Sequence, residues 1–341
     1  MKRYGNIYSK IISLKNLRLA DEKARRGKAN TYGVKVHDKN REKNLLALHE
    51  ALLTKTYKTS EYDVFTIHEP KERVIYRLPY YPDRIVHHAI MNVLEPIWVN
   101  TFTYNTYSCI KGRGIEGCAR RVERLIKSYE GRPLYCLKID IKKFYPSIKH
   151  DVLKRIVRRK IKDRDLLWLL DEIIDSTEGL PIGNYLSQYL ANLVMCYFMH
   201  EVNEKLHLDS TEYADDIIFL SDSKETLRTA FWQHIKPHIE EQLELQVKSN
   251  YQIFPIAENR YDKHGRALDY VGYKFYRKQK QMRKSIKVKF CKEAAKVNKI
   301  VPFINVINYK QRVAPWLGWA KHSDSKHLIN TIIPFNLRKA I

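Results

Sequence analysis

Tyr213-Ala214-Asp215-Asp216-Ile217-Ile218-Phe219-Leu220 and, upstream, Leu134-Tyr135-Cys136-Leu137-Lys138-Ile139-Asp140 are the stretches that decide the fold. In TEYADDIIFLSD (211–222) apolar flanks enclose a polar pair, the pattern of a β-hairpin whose turn presents two acids. LYCLKID (134–140) is a short apolar run that ends in an acid. Pro146 follows at an expected first helical position, and the amphipathic HDVLKRIVRRKI (150–161) completes a strand, turn and helix.

Two carboxylates a few ångströms apart repel, and one stays protonated unless a positive charge sits beside them. If strand 134–140 pairs beside the hairpin, Asp140, Asp215 and Asp216 converge on one sheet edge. Oxygen ligands without His or Cys select Mg²⁺ or Mn²⁺ over zinc. Two such ions, about 3.5 to 4 Å apart, can activate a hydroxyl and stabilise a leaving pyrophosphate, the chemistry of nucleotidyl transfer. An Asp-Asp pair taken alone fits equally well a surface turn that holds no ion.

Outward from these strands, residues 41–53 (REKNLLALHEALL) and 84–98 (RIVHHAIMNVLEPIW) carry apolar residues at helical spacing. Asp165 is placed to cap DLLWLLDEIIDS, and GLPIGN leads into a long helix. A helix is expected from Ser223 with a break at Pro237, and QVKSNYQIF (246–254) and ALDYVGYKFY (267–276) read as β-structure. Residues 274–299 then hold eleven Lys or Arg against the single acid Glu293, which marks a solvated or nucleic-acid-facing C-terminal region. The adjacent His87 and His88 cannot share one helix face, which argues against a joint metal role.

The 341 residues carry 62 Lys and Arg against 38 Asp and Glu, a net charge of +24 that points to a polyanionic partner. The 23 Tyr, 11 Phe and 5 Trp add ring faces on which bases can stack, so nucleic acid is favoured over a membrane surface. Five scattered cysteines (Cys109, Cys118, Cys136, Cys196, Cys291) show no C-x-x-C spacing and indicate neither a disulfide framework nor a zinc site. Lys10 and Lys15 interrupt any signal-like apolar region, and the run 186–199 is too short to span a bilayer. The expectation is a soluble, cytoplasmic protein.

DIKKFYPSI (140–148), GLPIGNYLSQ (179–188), YADDIIFL (213–220) and YVGYKF (270–275) resemble, in order and spacing, the successive palm motifs of reverse transcriptases. KERVIYRLPYYPDRIVHHAI (71–90) is similar to the fingers motif of their group II intron-like branch, and YSCIKGRGIEGCAR (107–120) to its following Gly-rich element. WLGWAKHSDS (316–325) is similar to a thumb motif. The resemblance implies an α+β right-hand polymerase of bacterial or phage origin. Its parts would be an N-terminal region with fingers (1–133), an antiparallel-sheet palm (134–276) with a fingers insertion near 149–178, and a short helical thumb (277–341).

Carried over position by position, the resemblance makes Asp140 and Asp215 the main ligands of two Mg²⁺ ions, with the Ile141 carbonyl as a backbone ligand and Asp216 as a third, weaker carboxylate. Lys71 and Arg73 would grip the triphosphate of the incoming dNTP, although bases so frequent in this chain are also commonly just solvated. Tyr145 would stand against the nucleotide sugar and exclude a 2′-hydroxyl, unless it is a core aromatic. Tyr270, Gly272 and Tyr273 correspond to an element that grips the primer end, and Trp316 and Trp319 fall in the thumb motif that faces primer and template. Gly272 reads otherwise as an ordinary hairpin glycine.

Residues 182–188 depart from most reverse transcriptases, which carry Gln-Gly followed by Ser-Pro. Ile182, Gly183, Ser187 and Gln188 resemble the form found in diversity-generating retroelements, with Ile182, Gly183 and Gln188 beside the dNTP. Replacing an amide by Ile182 removes a hydrogen bond worth about 0.5 to 1.5 kcal/mol, roughly two- to tenfold in discrimination. A neutral packing choice at Ile182 is the alternative. The resemblance implies error-prone cDNA copied from a template-repeat RNA, with misincorporation at template adenines, and a small basic pentameric accessory variability protein as partner. Two rivals remain: a retron or phage-defence reverse transcriptase, and an RNA-binding scaffold whose polymerase site is vestigial.

Overall fold

A computed structural model describes residues 2–68, 71–299 and 306–334. Parts of the region expected to form the thumb, 300–305 and 335–341, lie outside the described residues. Two compact units interleave along the chain. The first comprises Met1–Ile110, Asp140–His207 and Trp232–Ser249, and the second Lys111–Ile139, Leu208–Phe231 and Asn250–Ile341.

Among its described residues unit 1 is mainly helical and carries the hairpin of β1 (Asp63–Ile67) paired antiparallel with β2 (Arg73–Arg77). Its central helix, Tyr185–Glu204, buries residues on every side, including Leu190, Leu193, Met195 and Phe198, as a helix apolar all round must. Helices Arg41–Leu53 and Ile85–Val99 form where the apolar spacing predicts them. The helix Arg164–Ile174 buries Leu166, Leu169, Leu170 and Ile173. Its cap is Asp163 rather than the expected Asp165: the Asp163 carboxylate accepts the Leu166 N–H at 3.2 Å and also those of Ile7 and Tyr8. These extra donors, distant in sequence, make Asp163 the better acceptor. Pro146 opens no long helix. It lies inside the single turn Phe144–Ser147, and the next helix starts separately at His150.

Among its described residues unit 2 carries two sheets. The four-stranded sheet has the order β4–β5–β3–β6, with β3 Tyr135–Asp140, β4 Asp209–Tyr213, β5 Asp216–Ser221 and β6 Gln252–Pro255. Its apolar run from Ile217 to Leu220 is buried at every residue, which fits a strand covered on both faces. β6 uses only the end of the expected stretch 246–254. The second sheet is the meander β7 (Leu268–Tyr270), β8 (Tyr273–Phe275) and β9 (Lys280–Met282). The basic segment beyond it forms the helix Lys284–Lys299, which buries Phe290, Ala294 and Val297 and leaves most of its lysines exposed. Helices with antiparallel sheets are the α+β class that the sequence implies. Among the described residues, no helix is long and apolar enough to cross a membrane.

Candidate active site

The acidic turn belongs to unit 2. Tyr213 and Asp216 close the β4–β5 hairpin, so Ala214 and Asp215 form a two-residue loop, with Ala214 at a φ of 56°. A left-handed first loop position matches the right-handed twist of the strands and is usually given to glycine. Below the turn lies Tyr270, fully buried, whose hydroxyl donates towards the Asp216 carbonyl at 3.0 Å and that of Thr211 at 3.2 Å. Tyr270 therefore props the acidic hairpin from inside. Burial raises its pKa far above the ordinary phenol range, so it stays a neutral donor.

Strand β3 lies between β5 and β6. The Lys138 ammonium on β3 reaches the Asp216 carboxylate at 3.2 Å and donates to the Asp269 carbonyl at 2.7 Å. Asp140 ends the strand two residues later, on the face that Lys138 shares through the period of two. Sequence reasoning missed this lysine, and that spacing was the signal that could have found it.

In unit 1, Asp140 pairs with the Lys248 ammonium at 2.5 Å, and the Lys248 N–H donates to the Asp140 carbonyl at 2.9 Å. Ile141 bridges Val247, and Lys142 N–H donates to the Gln246 carbonyl at 2.8 Å, which fixes the backbone that follows Asp140. Lys248, too, had no mark in the sequence. Its position depends on a long-range backbone pairing.

Tyr145 is half-buried, edge-on to Phe144, and its carbonyl accepts the Leu180 N–H at 2.9 Å. The Gly179 turn can approach because a Cβ there, at a φ of +63°, would lie 2.4 Å from the Pro146 oxygen. The loop continues to Ile182, half-buried, whose carbonyl accepts the Tyr76 N–H at 2.8 Å and so ties β2 to the start of the central helix. Gly183 and Gln188 are exposed, as are Lys71 and Arg73 at the start of β2. Unit 1 thus brings Ile182 and Gly183 to β2, and the 179–180 turn to Tyr145.

The primer-side residues cluster in unit 2. Val271 and Gly272 form the β7–β8 turn, both at positive φ. A Cβ on Gly272 would stand 2.3 Å from the Trp319 ring, so the glycine's bareness admits an indole. Trp319 packs against Tyr273 with ring centroids 5.0 Å apart, while Trp316 is half-buried on the same helix, Val306–Lys321. Burial pushes the Tyr273 phenol up to about 12.

The donor set of Asp140, Asp215 and Asp216 is all oxygen, and lysine ammonium groups already lie against Asp140 and Asp216. Those carboxylates therefore stand where positive charge is held, which suits hard divalent cations. Among the described residues, no group of three or more His, Cys, Asp or Glu is gathered closely enough to hold a metal ion by itself.

Protein YkfC of Escherichia coli (strain K12) is 27% identical over 140 residues, 38% of this chain and 37% of its own length. The retron Ec73 reverse transcriptase of Escherichia coli is 33% identical over 135 residues, 35% of this chain and 40% of its own. The chain thus spans about two fifths of the length of these curated relatives. Among solved structures, apo telomerase from Candida Tropicalis shares the fold at a TM-score of 0.51 and 10% identity, over 82% of this chain and 58% of that one. The fold is that of the right-hand polymerases. Residues 67–256, more than half of the 341, match the family described as Reverse transcriptase (RNA-dependent DNA polymerase), and to that family the chain belongs.

Proposed function

We propose that the protein is an RNA-directed DNA polymerase that extends a 3′-hydroxyl with dNTPs on an RNA template. The observation that carries this reading is the acidic β4–β5 turn beside β3, inside the segment that matches the reverse transcriptase family. Asp140, Asp215 and Asp216, with the Ile141 carbonyl, would hold two Mg²⁺ ions, for which Mn²⁺ could substitute. Such ions activate the attacking hydroxyl and stabilise the leaving pyrophosphate. Lys138 and Lys248 pair with Asp216 and Asp140 and orient their carboxylates. Lys71 and Arg73 are the candidates for the triphosphate, and Tyr145 for the sugar. Residues 1–133, 134–276 and 277–341 would act as fingers, palm and thumb. Gly272, Tyr273, Trp316 and Trp319 would face primer and template, with Tyr270 supporting the turn beneath them.

The finer reading is a polymerase of a diversity-generating retroelement, which makes error-prone cDNA with a small basic pentameric accessory protein. Ile182, Gly183, Ser187 and Gln188 support it. A second reading, a retron-type enzyme, is favoured by the 33% identity to the retron Ec73 reverse transcriptase. Purified protein should be supplied with candidate RNA, dNTPs and Mg²⁺, with and without an accessory protein. Equal cDNA yields from wild type and from Asp215→Asn plus Asp216→Asn would end the polymerase reading. Accurate copying that needs no accessory protein, with an error spectrum unchanged in Ile182→Gln, would favour the retron type.

A further inference from the structure

Unit 1 holds a cavity of about 140 Å³ beneath β2, lined among others by Tyr76, Arg84, His87, His88, Asn184 and Tyr185. It has several times the share of one water, about 30 Å³, which is room for a phosphoryl group and not for a whole nucleotide. Its charged neighbours are mainly basic, with Glu95 acting on the lining Tyr185 as an opposing negative charge. Among the described residues no carboxylate pairs with the half-buried Arg84 guanidinium, and burial lowers its pKa, opposed by the Tyr80 phenol. Lys28 adds to the positive field, since Arg84 acts on it as a like charge.

The helix Tyr185–Glu204 begins at this cavity. Asn184 occupies its N-cap without making a side-chain cap bond, and its first turn carries no acid. The opening amides and the positive end of the dipole are therefore not neutralised by a side chain of the helix itself. Independently, His87 is 2% exposed and its Nε2 has no hydrogen-bond partner. A buried polar atom left in that state costs stability unless a ligand satisfies it. His88 lies flat on Tyr185, with centroids 4.5 Å apart and planes at 16°, and forms a wall. Burial keeps both imidazoles neutral, so His87 can donate from Nε2 without a charge change.

We propose that this cavity is a phosphate pocket: Arg84 supplies the charge, His87 Nε2 a hydrogen bond, and the Tyr185–Glu204 helix its opening amides to one phosphoryl group. The proposal rests on the template-copying function above. The phosphoryl group can belong to a nucleic-acid strand or to a free dNTP, and the test separates these sources.

The full chain is titrated with a fluorescent primer–template that carries a single-stranded 5′ template extension, across a salt series. Wild type, Arg84→Gln and Asn184→Asp are compared, and dNTP KM is measured in parallel. Asn184→Asp puts a carboxylate at the pocket and gives up the Asn184 Nδ2 hydrogen bond to the Tyr62 hydroxyl, so its melting temperature is measured and it is compared at a temperature where it is folded. For a strand phosphate, both variants bind the primer–template about tenfold more weakly. The slope of log affinity against log salt also falls by about 0.7 for Arg84→Gln. For a dNTP phosphate, KM rises about tenfold while strand affinity stays constant. Either result supports the pocket. If Arg84→Gln does not fold, Asn184→Asp decides alone. Strand affinity and KM both unchanged in folded variants would overturn it. A wild type that still binds and extends the primer leaves the polymerase function standing in that case.

Discussion

Unit 2 contains two two-residue hairpin turns that the backbone treats alike and the side chains treat in opposite ways. Ala214–Asp215 and Val271–Gly272 both force a residue with a Cβ into positive φ, 56° at Ala214 and 40° at Val271. Such positions are uncommon for non-glycine residues and persist only where the surroundings hold them. At the first turn, support comes from beneath through the buried Tyr270 hydroxyl, and the turn itself carries Asp215 and Asp216. At the second, Gly272 is covered from above by Trp319. Tyr270 belongs to the strand that leads into the second turn, so one residue serves both. A tight turn can therefore display chemistry or accept packing, and the residue that decides is the one whose side chain is absent or charged.

Asp215→Asn should leave the melting temperature nearly unchanged and cut cDNA synthesis by on the order of a hundredfold or more, the cost of one preorganised charge contact in a transition state. A melting temperature that drops as far as activity would make the acidic turn structural. Gly272→Ala places a Cβ against the Trp319 ring at positive φ, and urea denaturation should show a loss of about 1 to 3 kcal/mol. In Trp319→Ala the same substitution should cost measurably less, because the clash is gone while the backbone strain remains.

Acid should act outside both turns. Burial pushes the His87 pKa down to about 3 and that of His88 to about 4. The unfolded chain protonates each below about pH 6.5 while the folded chain does not, so neither contributes above that pH. Stability then falls with decreasing pH by about 1.4 kcal/mol per unit for His87, roughly 2 kcal/mol at pH 5. His87→Gln should flatten the stability profile between pH 7 and pH 5, and an unchanged slope would contradict this assignment. The smallest effect is Tyr270→Phe, which leaves two carbonyls without their phenol donor and should cost about 1 kcal/mol. If it also lowers polymerase activity more than Gly272→Ala does, the support beneath the acidic turn matters more than the packing above the other.

Much of the site was legible in the text because local rules write it there. An apolar strand ending in Asp140, a hairpin pattern around Asp215 and Asp216, and a glycine between Tyr270 and Tyr273 follow from periodicity and turn chemistry. What escaped was long-range. Asp163 outranks Asp165 as a cap because Ile7 and Tyr8, more than a hundred residues away, bring it their amides. Lys138 and Lys248 are two among 62 bases until folding sets them against Asp216 and Asp140. His87 looked like half of an unremarkable pair, and its significance comes from burial without a partner.

The sequence alone determined several of the strands and helices, the positive charge of the chain and the order of its motifs, since each depends on neighbours within a few residues. Tertiary structure alone decided which lysine meets which carboxylate, that Tyr270 supports rather than faces outward, and that Gly272 yields its space to Trp319. The reason is physical: burial and pairing are set by groups that meet only when distant segments pack, and no periodicity along the chain encodes the distance between them.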